Sequence, residues 1–282
     1  MSTSADTLAD MNRPALSIFA QSLLSGQSAV ITGGGSGIGE GIAKALAAHG
    51  AKVGLIGRTP EKLARVASEI VKKNGHAIYR AVDVREYTDL ERAITAMAIE
   101  LGGVNILINS AAGNFLAPAA SLSANGFRSV IDIDLCGTFN ACRASFAHLS
   151  KRGGSIVSIT ATQASVPTPL QCHAGAAKAG IEKLTRDLAL EWGGMGIRVN
   201  AVAPGPIDNT EGMTRLAPGG VEIALKKRVP IGRYGTIEEV SAAVLYLVSA
   251  AGTYITGSTL LIDGGTSLLG PGPFLDMMRG EL

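Results

Sequence analysis

The chain has 282 residues, 46% of them hydrophobic and 17% charged, enough apolar material for one sizeable core without a second. A formal net charge of only +2 argues against nucleic acid or a membrane surface as partner, and no apolar run approaches the roughly 18 residues of a membrane span. The three cysteines, Cys136, Cys142 and Cys172, form no CxxC pair, so a reduced, intracellular protein is expected, with no disulfide framework and no metal.

Residues 1–26 read as an N-terminal extension whose polar start, with Asp6 and Asp10, argues against a signal or basic transit peptide. The domain is expected over residues 27–266. It opens with Ser28-Ala-Val-Ile-Thr-Gly33, a short apolar run ending in glycine, and residues 37–49 follow with amphipathic helical spacing. Thr32 to Gly39 is therefore a strand-to-helix turn. Gly33, Gly37 and Gly39 permit tight turning and close backbone approach, so that a pyrophosphate can rest on the amides and positive dipole of the helix start. The second strand, 52–57, runs into Arg58 with no carboxylate before Glu61. A ribose 2′-hydroxyl calls for an acid at that point and a 2′-phosphate for a cation. NADPH is the expected cofactor, with Arg58 the only cation expected at its phosphate.

Further strands are expected near 77–82, 104–109, 154–160, 197–203 and 258–263, with helices between most of them, including long Ala-rich ones at 124–150 and 171–192. Continuous apolar strands such as Ile106-Leu-Ile108 signal a parallel sheet covered on both faces. The expected fold class is α/β, a single-domain Rossmann fold with a seven-stranded parallel doubly wound sheet. Residues 204–235, rich in Pro, Gly and charge, form an unusually long connection and a candidate substrate lid. A C-terminal tail, 267–282, ends in Gly280-Glu281-Leu282 rather than a peroxisomal S-K-L address, so a cytoplasmic location is expected.

The turn at Thr32 to Gly39, Asp83-Val84 after the third strand, Asn109-Ser-Ala-Ala-Gly113 after the fourth, Lys178 in a helix and Pro204-Gly205-Pro206-Ile207 after the sixth stand in one order and spacing over residues 26–266. In this the chain resembles the short-chain dehydrogenase/reductases. The resemblance implies cofactor contacts from Gly33, Gly35, Ser36, Gly37 and Ile38 at the phosphates, and from Asp83 and Val84 beside the adenine. It implies further contacts from Asn109, Ala111, Gly113 and Lys178 at the ribose, and from Pro204, Gly205 and Ile207 at the nicotinamide amide.

Most members of that superfamily carry Tyr four residues before the helix lysine, and Ser thirteen before the tyrosine. The i, i+4 spacing lets the ammonium lower the tyrosine pKa. Here those positions are Ala174 and Ala161, and neither can donate a proton. Tyr79, Tyr87, Tyr234 and Tyr254 lie on other elements. Two readings remain: a catalytically silent NADPH-binding scaffold, or a reduction in which no alkoxide needs immediate protonation. Hydride addition to the far end of a conjugated thioester delocalises charge onto the thioester oxygen, and a cation, a hydroxyl and an acid acting through water can complete it. Lys178 is the candidate cation. Asp134, a carboxylate in an apolar helical stretch where the superfamily commonly has an active-site Asn, is the candidate acid; the plainer reading is an aspartate simply paired to a lysine.

More narrowly, Asn109-Ser-Ala-Ala-Gly-Asn-Phe-Leu116, Asp132-Ile-Asp134, Ile159-Thr-Ala-Thr162, His173-Ala-Gly-Ala-Ala-Lys178 and Thr210-Glu-Gly212 resemble the 2,4-dienoyl-CoA reductases, particularly their peroxisomal type. That type also lacks the Tyr and Ser, and uses an Asp and a Lys with an ordered water. The resemblance implies that Asp134 and Lys178 are catalytic, and that Arg58, Arg85, Phe115, Ser123, Asn125 and Arg215 approach the acyl-CoA. It also implies a homotetramer. A trans-2-enoyl-CoA reductase on the same fold is the nearest rival. His173 points about 100° away from the Ala174 and Lys178 face of its helix and is expected to be a hydrogen-bonded structural residue.

Overall fold

The computed structural model of the protein describes residues 14–210 and 222–270, together with Gly272 and Asp276. Seven strands form one sheet: β1 (Ser28–Thr32), β2 (Lys52–Gly57), β3 (His76–Ala81), β4 (Ile106–Asn109), β5 (Gly154–Ile159), β6 (Ile197–Pro204) and β7 (Thr259–Ile262). Their order is β3-β2-β1-β4-β5-β6-β7, and every pairing is parallel. The strands expected from the apolar runs shift by at most two residues at either end. β1 and β4 are buried along their whole length, which is why they read as unbroken apolar runs rather than alternating ones.

The helices are α1 (Gly37–Ala48), α2 (Pro60–Lys72), α3 (Tyr87–Leu101), α4 (Ala124–Ile131), α5 (Gly137–Leu149), α6 (Cys172–Trp192), α7 (Glu222–Arg228) and α8 (Ile237–Val248). Their starts are written locally. Pro60 sits at the beginning of α2, and Thr236 and Glu239 form a reciprocal capping box at α8. α1, α2 and α8 cover one face of the sheet through Ile42, Leu46, Leu63, Ile70, Val240 and Val244. α3, α5 and α6 cover the other through Leu90, Ile94, Met97, Leu149, Leu188 and Trp192. Each large side chain buried in this way contributes about 1.5–3 kcal/mol.

The helix expected over 124–150 is interrupted. Asp132–Cys136 forms a π-helical turn between α4 and α5, one wide turn inside an otherwise continuous helical run. The Asp134 carbonyl accepts from Thr138 Oγ1 at 2.6 Å. Gly137 passes so close to the loop after β3 that a Cβ there would lie 2.5 Å from Val84. The long connection after β6 is pinned at its base, where Ile207 and Gly235 form a parallel bridge and Asp208 N donates to Gly235 O at 2.8 Å. Residues 211–221 of the expected lid lie outside the described residues. Among the described residues no helix is long and apolar enough to cross a membrane, and no group of His, Cys, Asp and Glu is placed to hold a metal ion.

The chain runs from β1 outward through β2 to β3, then returns to β4 on the other side of β1. This reversal opens a crevice at the C-terminal ends of β1 and β4.

Candidate active site

The crevice is a cavity of about 530 Å³ running from the loop after β1 to the start of α6. At its nucleotide end Gly33, with φ +68°, lies against the β4 loop, where a Cβ would meet Ser110 O at 2.6 Å. A Cβ on Gly39 would meet Gly33 O at 2.3 Å, so α1 can start this close to the turn only with glycine there. Ser36 precedes α1 without capping it through its side chain, which leaves first-turn amides available at the cavity. Thr32 Oγ1 accepts from Ser110 N at 3.2 Å and Ala111 N at 3.3 Å, tying the loops after β1 and β4 together.

Arg58, Asp83 and Val84 line the far part of this end. Arg85 grips Asp83 with Nε at 3.0 Å from Oδ1 and a terminal nitrogen at 2.6 Å from Oδ2. This pairing holds the Asp83 carboxyl below the ordinary carboxylate range against its partial burial, and the Arg58 charge adds to the effect. Lys62, in the first turn of α2, lines the same end, so Arg58 is not the only cation there. That corrects the expectation of a single cation. The signal was available: Lys62 lies four residues after Arg58, in the first turn of the helix that begins beside it. A cradle too tight for side chains, open helix-start amides and two cations at the end of β2 fit a phosphorylated dinucleotide.

At the opposite end the π-turn presents Asp134, which is 1% exposed. Its Oδ1 accepts from Gly113 N at 2.7 Å, and its Oδ2 lies 3.0 Å from Lys178 Nζ. Lys178 also donates to Ile159 O at 3.1 Å, and Thr160 Oγ1 donates to Lys178 O at 3.2 Å. Asp134 is thus paired to a lysine, as the plainer reading had it, and the partner is the lysine of the helix motif itself. Ala161 and Ala174 line the cavity beside the pair, and no tyrosine lines it among the described residues.

Not every expected residue stands on the wall. Gly33, Gly35, Ser36, Gly37, Ile38, Arg58, Asp83, Val84, Ala111, Gly113, Asp134 and Lys178 do. Asn109 lies behind it, 3% exposed, donating to Ser158 Oγ at 3.2 Å and Cys142 Sγ at 3.3 Å. Gly205 donates its amide to Ile262 O at 2.9 Å, and Ile207 is buried near the base of the long connection. The five positions expected at the acyl-CoA besides Arg58 lie off the wall or outside the description. Arg85 is held by Asp83, and Ser123 Oγ caps α4 by accepting from Gly126 N at 3.0 Å. Asn125 accepts from Arg128 at 3.1 Å, Phe115 stacks on His173 with ring centroids 4.5 Å apart, and Arg215 is outside the described residues.

His173 corrects a second expectation. It is fully buried, and neither ring nitrogen makes a hydrogen bond of ordinary geometry among the described residues. Burial pushes its pKa down, while the Phe115 backbone and the Asp134 charge oppose the shift. The Cys142 thiol, enclosed in the core, is pushed up to about 12, which removes it as a nucleophile. Three polar wall or near-wall residues were missed from sequence: Asn114, Gln163 and Gln171. Gln171 Oε1 accepts from Asn114 Nδ2 at 2.7 Å and from Gln163 Nε2 at 3.3 Å.

The family profile described as Enoyl-(Acyl carrier protein) reductase matches residues 33–267. The chain belongs to the short-chain dehydrogenase/reductase family. Among curated relatives of this family member, the peroxisomal, (3E)-enoyl-CoA-producing 2,4-dienoyl-CoA reductase of Danio rerio is 46% identical over 89% of this chain and 85% of its own. A protein of Bacillus subtilis (strain 168) named "Probable 2,4-dienoyl-CoA reductase", of the (2E)-enoyl-CoA-producing type, is 40% identical over 88% of this chain and 99% of its own. The solved gluconate 5-dehydrogenase of Burkholderia cenocepacia J2315, in complex with NADP and tartrate, superposes with a TM-score of 0.82 at 31% identity, covering 88% of this chain and 98% of that one. As a member of this family the protein is a nicotinamide-dependent oxidoreductase.

Proposed function

We propose that the protein uses NADPH to reduce 2,4-dienoyl-CoA to enoyl-CoA in the degradation of unsaturated fatty acids. The observation that carries this reading is the Asp134–Lys178 pair at 3.0 Å in a cavity where alanines stand at both positions of the usual Ser and Tyr. A carbonyl reduction needs a proton donor at the nascent alkoxide, and Ala174 supplies none. A dienoyl thioester does not need one there. Its negative charge spreads to the thioester oxygen, and the final proton goes to carbon. The two relatives named as 2,4-dienoyl-CoA reductases support the reading.

Arg58 and Lys62 favour the phosphorylated cofactor, whose 2′-phosphate they would face, and α1 would hold its pyrophosphate. When bound, that cofactor supplies the hydride. The protein's residues do the rest. Gly113 N and the Lys178 ammonium hold the Asp134 carboxylate in one orientation, and Lys178 places its positive charge where enolate charge develops. The pair holds one proton that can move to the dienolate through a water in the space that Ala161 and Ala174 leave open. Protonation next to the thioester gives a 3-enoyl product, and protonation further along gives a 2-enoyl product. The two relatives differ on this point in name, one being (3E)- and the other (2E)-enoyl-CoA-producing.

On this reading Arg85 leaves Asp83 to meet the CoA, and Phe115, Ser123, Asn125 and Arg215 bind the acyl-CoA. The assembly is a homotetramer, which sedimentation tests. The decisive experiment is NADPH oxidation offered 2,4-dienoyl-CoA, 2-enoyl-CoA and 3-ketoacyl-CoA in turn. Only the first should be consumed rapidly. Consumption of the second instead would make the protein an enoyl-CoA reductase, and consumption of none would make it a non-catalytic NADPH-binding subunit.

A further inference from the structure

We propose that Gln163 is the hydrogen-bond donor that receives the thioester oxygen of the substrate, in place of the hydroxyls that Ala161 and Ala174 cannot supply. This deepens the dienoyl-CoA reading and rests on it. The reaction places negative charge on one oxygen, and a preorganised donor at that oxygen is commonly a large contributor to such a step. Lys178 contributes charge, but its ammonium is already shared between Asp134 Oδ2 at 3.0 Å and Ile159 O at 3.1 Å.

Two donors near the reacting end are committed, and Gln171 Nε2, buried without a partner among the described residues, belongs to a residue that does not line the cavity. Thr160 Oγ1 gives its hydrogen to Lys178 O, and Asn114 Nδ2 holds Gln171 Oε1 at a short 2.7 Å. Gln163 differs in three ways. It lines the cavity, it stands on the short 3-10 turn Thr162–Ala164 only two residues beyond Ala161, and its amide makes a single long bond. That bond, 3.3 Å to Gln171 Oε1, shares an acceptor that Asn114 already satisfies. Its loss on substrate binding therefore leaves no buried acceptor unpaired, and the Gln163 amide can turn to a ligand at small cost. An amide nitrogen carries two hydrogens, so one can also stay on Gln171 while the other meets the substrate.

The balance is simple. Hydride adds to the terminal carbon of the conjugated system, the electron pair moves through the chain to the thioester oxygen, and a proton from the Asp134–Lys178 pair reaches carbon. Gln163 exchanges one hydrogen bond and neither gains nor loses a proton. Gln171 stays in place through Asn114, so the loop carrying Gly113 and its bond to Asp134 is undisturbed.

The test combines kinetics with a spectrum. Binding of 2,4-hexadienoyl-CoA to the protein, alone or with NADP⁺ so that no reduction occurs, should shift the dienoyl absorption to longer wavelength, because a hydrogen bond to the thioester oxygen polarises the conjugated system. Gln163→Leu should abolish most of that shift and slow single-turnover NADPH oxidation by about 10²-fold, the usual loss for one such donor, with NADPH affinity and melting temperature unchanged. Gln163→Glu, which keeps the shape but faces the oxygen with a carboxylate, should be slower still. Adding Ala161→Ser to Gln163→Leu should restore part of both rate and shift by returning a hydroxyl to the same wall. A Gln163→Leu protein with the parent's rate and spectrum overturns the assignment while leaving the reductase reading intact. A parent protein that reduces no dienoyl-CoA overturns both.

Discussion

The two ends of the cavity follow different rules. The nucleotide end is built from backbone: a turn too tight for side chains, the open start of α1, and Thr32 tying two loops. The reacting end is built from side chains, and there the family's usual serine and tyrosine are replaced by Ala161 and Ala174. A backbone cradle tolerates little substitution because a Cβ at Gly33 or Gly39 would collide with main chain. The reacting end is freer to change, because a cation, a carboxylate and an amide can be regrouped on the same elements. The family relationship therefore predicts cofactor binding more securely than it predicts the proton path, and variants at the two ends should separate accordingly.

The largest effect should come from Asp134→Asn. If the pair delivers the proton, turnover should fall by about 10²- to 10⁴-fold, the usual share of general acid catalysis, with NADPH affinity nearly unchanged. Stability should fall as well, because the Lys178 ammonium, with its side chain 11% exposed, loses its counter-charge. Breaking a buried pair costs about 3–5 kcal/mol. Single-turnover oxidation per folded molecule, read beside a thermal melt, separates the two losses. An unchanged rate per folded molecule would remove Asp134 from the proton path.

Lys178→Ala should blur the contrast between the ends, since this residue serves both. Turnover should fall, and cofactor affinity should fall by about ten- to a hundredfold, as for one hydrogen bond to a charged group. Titration of the variant with NADPH checks it, and parent-like affinity together with parent-like turnover would refute the assignment.

Arg58→Asp should act at the nucleotide end alone. NADPH binding should weaken by more than NADH binding, by up to about 1.5–3 kcal/mol, toward the lower figure because Lys62 remains at that end. Equal losses for both cofactors would mean that the 2′-phosphate does not sit there.

The ease of reading the chain also differed between regions. β1 and β4 were legible because a strand buried on both faces leaves an unbroken apolar run. Asp134 and Lys178 were legible because each is a charge in an apolar helical setting. The π-turn under Asp134 was not, since one widened turn of five residues does not disturb side-chain periodicity enough to be seen. Lys62 was less legible because it belongs to the first turn of the following helix, where a lysine ordinarily reads as a solvated surface residue. The contacts of Gln171 with Asn114 and Gln163 could not be read at all: Asn114 lies 57 residues away in the chain, and neutral amides carry no pattern of their own. His173 shows a partial success. The helical angle kept it off the cavity wall that Ala174 and Lys178 line, but only the packed structure shows that it turns onto Phe115 and that its ring nitrogens make no hydrogen bond of ordinary geometry among the described residues.

That histidine supplies the smallest and last test of the contrast, for it is buried at the reacting end and is assigned no role in the reaction. Burial holds its pKa below the ordinary value, so the folded protein resists a proton that the unfolded chain accepts once pH drops below about 6.5. Its contribution to stability is therefore fully present above that pH and is lost as pH falls toward the depressed folded value. His173→Phe keeps an aromatic ring against Phe115 and removes the titration. The melting temperature of the parent should decline between pH 7 and pH 5.5 more steeply than that of the variant; His148, also shifted down by burial, remains in both and leaves a residual slope. Turnover at pH 7 should change little, because Asp134, not the imidazole, adjoins Lys178 and the cavity. A variant with the parent's pH slope would show that His173 does not titrate as its burial requires. A variant that melts normally but loses turnover as severely as Asp134→Asn would bring the imidazole into the proton path.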